Sequence, residues 1–97
     1  MTKADVVSKI SEQTGINKSD VLITVESFVN VLKASMEDGD DVFIRGFGSF
    51  VNKKRARKVA RNISKNTAIV VEAHYVPTFK PAKEFVEKVK KSKKLKA

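Results

Sequence analysis

The chain has 97 residues, with 20 Lys and Arg against 11 Asp and Glu, for a formal net charge of +9. That length suits one domain, and the absence of cysteine excludes disulfides and thiolate metal sites. No stretch approaches the roughly eighteen apolar residues of a membrane span, and "MTKADVVSKI" puts Lys3 and Asp5 where a secretory signal would be apolar, so a cytoplasmic protein is expected.

Thr2 followed by Asp5 reads as an N-cap with an acid at the third helical position. Ala4, Val7 and Ile10 share a helical face, and Gly15 is the stop signal. Asn17 and Asp20 repeat the start signal for a second, longer helix ending near Gly39. Its apolar residues, Val21, Leu22, Val25, Phe28, Val29, Val31, Leu32 and Met36, form a set wider than one small core needs. Two neighbours on different sides are implied.

After the acidic "EDGDD" the period becomes strand-like. "VFIRGFGSFVNKK" has β-branched and aromatic residues around Gly46 and Gly48, which suits a tight hairpin connection. Phe50 to Arg61 continues this as one extended strand. "SKNT" is a turn with Asn66 suited to a positive φ, and "AIVVEAHYV" is the returning strand. Pro81 opens a final amphipathic helix carrying Ala82, Phe85, Val86 and Val89, and the lysine-rich end at 91–97 should fray. Without extension and tail, roughly 70 residues remain, near the size at which one core is marginal. Sharing Phe28, Phe47, Phe50 and Phe79 with a second copy would solve that, so a dimer is expected.

The charge is unevenly placed. Residues 1–41 carry four Lys and eight acids, net −4, whereas residues 42–97 carry sixteen basic and three acidic residues, net +13. Such asymmetry implies a polyanionic partner, nucleic acid being the commonest. Lys53, Lys54, Arg55, Arg57, Lys58, Arg61 and Lys65 repel one another until anions screen them. A duplex offers about one phosphate charge per 1.7 Å of axis, and a two-stranded ribbon is thin enough to follow a groove. Ile63 at the tip has two readings: a turn residue packing on its own hairpin, or a wedge that unstacks a base step and kinks the duplex.

"RGFGSF" at 45–50, the basic positions Lys53, Arg55, Lys58 and Arg61, "RN" at 61–62 and "VPTFKPAK" at 76–83 together resemble the HU/IHF family of bacterial histone-like DNA-bending proteins, HU more than IHF. The resemblance runs from Thr2 to about Lys90, making residues 1–90 one domain with an arm at about 53–75 and a lysine-rich flexible tail at 91–97. It implies an α+β, IHF-like DNA-binding fold: an intertwined dimer with a helical base and two β-ribbon arms embracing the minor groove. Lys53, Arg55, Lys58 and Arg61 match the arm's phosphate and groove contacts, and Asn62 and Ile63 match its tip. Gly46 and Gly48 match a turn whose amides approach phosphate, while Lys3, Lys80 and Lys83 match basic positions on the body. This chain has Ile63 where the family's usual wedge is proline, and Asn66 where its tip turn usually has glycine. HU and IHF are themselves among the proteins in which such apolar wedges are known.

The function expected from the resemblance is architectural: binding double-stranded DNA with low sequence specificity, bending it, and compacting it in the nucleoid. The partners are bent or nicked duplex and a second copy or a paralogue, with no cofactor, metal or membrane. The competing readings are a ribosomal-type RNA-binding protein, or a scaffold that binds acidic polymers or lipid head groups by charge alone. RNA readers commonly stack bases on exposed aromatics, which the basic stretch lacks, and charge alone leaves the Arg61-Asn62-Ile63 tip unexplained. An enzyme is not indicated. His74, the only histidine, stands beside Tyr75 in the returning strand and reads as structural, and no nucleophile with base and orienter is present.

Overall fold

The computed structural model describes residues 1–62 and 64–95. Helix α1 (Lys3–Thr14) begins with the full capping box: the Thr2 side chain accepts from the Asp5 N–H at 3.3 Å, and the Asp5 carboxylate accepts from the Thr2 N–H at 2.9 Å. The Thr2 N–H, and at 3.1 Å the Thr2 hydroxyl, both donate to the Asp5 carboxylate and hold it below its ordinary value of 3.8, the backbone N–H contributing most. Gly15, at φ 76°, ends the helix, its N–H donating to the Ser11 carbonyl. Helix α2 (Lys18–Glu37) starts on Asn17, whose side chain accepts from the Asp20 N–H. It stops two residues before Gly39, which takes φ 90° in the following turn.

Strand β1 (Val42–Ile44) turns through Gly46, at φ 80°, into β2 (Gly48–Arg55), and the Phe47 N–H closes the turn on the Ile44 carbonyl. Only Gly46 serves as the turn glycine. Gly48, expected in the connection, is instead the first residue of β2 and is buried. A Cβ there would lie 2.5 Å from the Lys80 carbonyl oxygen and 2.6 Å from the Phe79 ring, so the position has no room for a side chain. Beyond β2 come β3 (Lys58–Asn62), β4 (Thr67–Val71) and β5 (His74–Pro81), giving an antiparallel sheet of order β1-β2-β5 and a separate β3-β4 pair.

The two ladders share one register. Gly48 faces Pro81, Arg55 faces His74, Lys58 faces Val71 and Asn62 faces Thr67. The extension is therefore a single ribbon whose ladder lapses over two residues on each strand, Ala56 and Arg57 opposite Ala73 and Glu72. The expected continuous strands Phe50–Arg61 and 68–76 are corrected accordingly, each being two strands with a joint between. Asn66 holds the tip turn at φ 50°, as its side chain suggested.

Pro81 is likewise corrected: it ends β5 instead of opening the last helix. β5 lies at the sheet's edge, where the missing N–H removes no ladder bond on the open side. Helix α3 (Lys83–Lys90) starts on Ala82, whose N–H donates to the Phe47 carbonyl at 2.8 Å. Past α3, the Lys91 and Ser92 amides still donate to the Glu87 and Val89 carbonyls.

Two small clusters hold the body. Val7 of α1 and Val21 of α2 are its buried hydrophobic residues. Phe47 packs on Phe79 (centroids 4.9 Å) and Phe85 (5.4 Å), and Phe50 on Phe79 (4.9 Å), which joins the hairpin, both long strands and α3. Asn52, on the same face of β2 as Phe50, donates from Nδ2 to the Met36 carbonyl and ties the sheet to α2. Phe28, expected in a core with the other three, is 51 % exposed and outside this cluster, and Phe47 itself is 41 % exposed. On α2, Val21, Val25, Leu32 and Met36 turn towards the chain's own body, while Leu22, Phe28, Val29 and Val31 remain uncovered. The Cα radius of gyration, 19.0 Å, far exceeds the ~13 Å of a compact domain of about 100 residues. One chain does not bury its own hydrophobic surface.

Candidate nucleic-acid interface

Alternation along β2 and β5 sorts the charges. Phe50 and Phe79, Asn52 and Pro77, and Lys54 and Tyr75 are opposite pairs on the face that meets α2 and the phenylalanines. The other face carries Ser49 with Lys80, Lys53 with Val76 and Arg55 with His74. Lys80, Lys53 and Arg55 therefore lie along one outward line. From the level of Lys80 to Arg55 is six residues, ~20 Å at ~3.3 Å per residue. Phosphates on one strand repeat about every 3.4 Å of axis, so this line matches about six base pairs. Lys54 is the exception, exposed on the opposite face beside Tyr75.

The arm beyond the joint is thin and wet. Every residue of β4 is exposed, and Lys58, Val59 and Arg61 of β3 are exposed too. Lys58 and Arg61 stand three residues apart, so they project from opposite faces of the ribbon. Charge on both faces suits a groove, which presents phosphates on two walls. At the tip Arg61 donates through Nη2 to Asn66 Oδ1 at 3.1 Å, while Asn62 Oδ1 accepts from the Ser64 hydroxyl (2.9 Å) and the Lys65 N–H (3.4 Å). Asn62 thus has a structural task, closing the tip turn. Ile63, the expected wedge, lies outside the described residues.

The remaining expected positions fall in two other places. Gly46, Gly48 and Lys80 line one shallow hollow at the end of the sheet opposite the arm, with Arg45 and Ser49, and Lys83 opens α3 beside it. Sequence reasoning missed Arg45 here, although its place before Gly46 in the quoted motif was a usable signal. Lys3 stands apart, in the first turn of α1, where its Nζ donates to Glu26 Oε1 of α2 at 2.9 Å. Tyr75, the exposed aromatic at the arm's root, lines a groove with Met36, Asn52 and Pro77 on the α2 side, away from the outward line of charge. His74 is exposed, with Nδ1 2.8 Å from the Glu72 carbonyl oxygen at the joint.

Among the described residues, no group of three or more His, Cys, Asp and Glu side chains is placed to hold a metal ion, and no helix is long and apolar enough to cross a membrane. The arrangement offers amides, ammonium and guanidinium groups, which bind phosphate and perform no bond chemistry of their own.

Residues 1–90 match the family described as bacterial DNA-binding protein. The integration host factor subunit beta of Marinobacter nauticus is 41% identical over 95 residues, covering 97% of each chain. The integration host factor subunit alpha of Mannheimia succiniciproducens is 32% identical over 93 residues, covering 96% of this chain and 95% of its own. Among solved structures, the Anabaena HU–DNA cocrystal superposes with a TM-score of 0.89 at 28% identity, covering 95% of this chain and 100% of that one. The expected preference for HU over IHF is thus divided, with IHF subunits among the sequence relatives and HU among the folds. With the family match running over residues 1–90 and the relatives covering nearly the whole chain, the chain belongs to the HU/IHF family of architectural, non-enzymatic bacterial DNA-binding proteins.

Proposed function

We propose that two copies of this chain, or one copy and a paralogue, close a shared hydrophobic base and lay their arms along the minor groove of a double helix. The observation that carries this reading is the single register from Gly48–Pro81 to Asn62–Thr67, which makes the arm one ribbon able to carry cations far from the body. The relatives named as alpha and beta subunits support the heterodimer as well as the homodimer. Residues 1–90 serve as one domain and the lysine-rich 91–97 as an added electrostatic tail.

Lys53, Arg55, Lys58 and Arg61 take the groove walls, each neutralised phosphate releasing condensed counterions. Asn62 and Ile63 sit at the tip, where an apolar side chain entering a base step costs a few kcal/mol of stacking. The bend offsets that cost by bringing flanking DNA to Gly46, Gly48, Lys80 and Lys83, and to Lys3 once it leaves Glu26. The minor groove presents a degenerate pattern and phosphate contacts carry no direct sequence information, so the protein bends and compacts nucleoid DNA with low sequence specificity. The test is affinity for straight, nicked and pre-bent duplexes of one sequence. A bender prefers the deformed forms, because part of the deformation is already made. Equal affinity for all three, or tighter binding to RNA of the same length, would overturn the proposal.

A further inference from the structure

The joint in the arm holds a contact that the groove-binding residues above do not use. Arg57 and Glu72 face each other where the ladder lapses, with Arg57 Nε 3.8 Å from Glu72 Oε1. Glu72 is the only acid between Asp41 and Glu84. Among the described residues it holds the arm's one ion pair, so Lys53, Lys54, Arg55, Lys58, Arg61 and Lys65 have no carboxylate partner.

We infer that Arg57 is a further DNA-phosphate ligand of the arm and that Glu72 holds it in reserve, the pair opening in exchange for a backbone phosphate. This rests on the DNA-binding reading above. At 3.8 Å the contact is an ion pair without a hydrogen bond, so the guanidinium keeps its whole fork of donors free for a phosphate oxygen pair. Both side chains are exposed, 64% and 78%, and a pair so hydrated contributes little to stability. It is easily given up. The lapse in the ladder matters as well, since Ala56, Arg57, Glu72 and Ala73 are outside both strands and the backbone can turn Arg57 without breaking a ladder bond. A backbone phosphate offers this fork a bidentate pair of oxygens, as a carboxylate does, and it arrives with counterion release that the carboxylate does not supply.

The test is a double-mutant cycle on the full chain, binding a nicked duplex across a salt series. Binding by the parent with a steep salt slope tests the DNA-binding reading by itself. Arg57→Ala should then lower the slope of log affinity against log salt by about 0.9 per arm, and Arg57→Gln should do the same. Glu72→Gln should tighten binding about two- to fivefold, the range expected for an exposed pair. That gain should vanish in the Arg57→Ala background, because Glu72 acts through Arg57. If Glu72→Gln tightens the Arg57→Ala variant as much as the parent, Glu72 merely repels DNA at a distance. If Arg57→Ala keeps the full slope, Arg57 is no ligand. Either result overturns the inference.

Discussion

Gly48→Ala isolates what holds the arm's root to the body. The added Cβ would sit 2.5 Å from the Lys80 carbonyl oxygen and 2.6 and 2.7 Å from two atoms of the Phe79 ring. None of these is the loose end of a flexible side chain. The carbonyl belongs to the neighbouring strand β5, and the ring is held against Phe47 and Phe50 at centroid distances of 4.9 Å. Relief requires β2 to part from β5 or Phe79 to leave its cluster. Overpacking of this kind costs about 1–3 kcal/mol per site, against about 0.4–1 kcal/mol returned because alanine loses less chain entropy on folding. The net loss is ~1–2 kcal/mol per chain and ~2–4 kcal/mol per dimer. For a cooperative unit of about 200 residues that lowers Tm by roughly 4–16 °C. Differential scanning calorimetry at fixed protein concentration measures it. A Gly48→Ala protein melting within a degree of the parent would refute the claim that Gly48 is required by packing, and would leave only its backbone amide to explain the glycine.

Phe47→Ala removes the ring that bridges Phe79 and Phe85; with the ring covered by a partner the loss should be about 3–5 kcal/mol, read as a lower and more concentration-dependent Tm. The Thr2–Asp5 box predicts a pH effect, since a carboxyl held below 3.8 stabilises the fold above that pH and loses its contribution as pH falls through its depressed folded value. Asp5→Asn, which removes the titrating group, should therefore lower stability at neutral pH and flatten that acid limb, measured by thermal melts from pH 5 to pH 2 (about the range such a group spans). Deleting residues 91–97 should weaken binding to straight and nicked duplexes alike and lower the salt slope by about 0.9 per lost phosphate contact; a changed preference between the two duplexes would make the tail a reader of DNA shape.

Features fixed by neighbours in sequence were legible, and features fixed by distant pairing were not. Thr2 with Asp5, and Asn17 with Asp20, announced both helix starts because a cap is satisfied within one turn. Asn66 announced its positive φ, and Gly46 its turn, for the same local reason. Pro81 misled, because its fixed φ suits an edge strand as well as a helical first turn, and only its pairing with Gly48 decides between them. The joint was invisible to alternation: the ladder lapses without a change of register, so no residue switches face to mark it. Gly48 was found but explained wrongly, since the Phe79 ring that excludes a Cβ lies 31 positions along the chain. In the interface, residue type and spacing picked out the arm's cations, but only strand pairing put Lys54 on the opposite face from Lys53 and Arg55, or placed Arg57 across from Glu72. The surplus apolar surface of α2 was legible as surplus, and Phe28 and Val31 remain uncovered in the single chain for the reason that surplus implied.

If the arm converts grip into a bend, energy transfer between dyes at the two ends of a duplex reads that bend directly. The parent protein should raise transfer on binding as the ends approach. Ile63→Ala should keep most of the straight-duplex affinity while reducing transfer, and Ile63→Pro should restore or exceed it, because an apolar wedge sets the kink and the cations set the grip. Saturating binding by the parent with no rise in transfer would contradict the claim, leaving a protein that coats DNA without bending it.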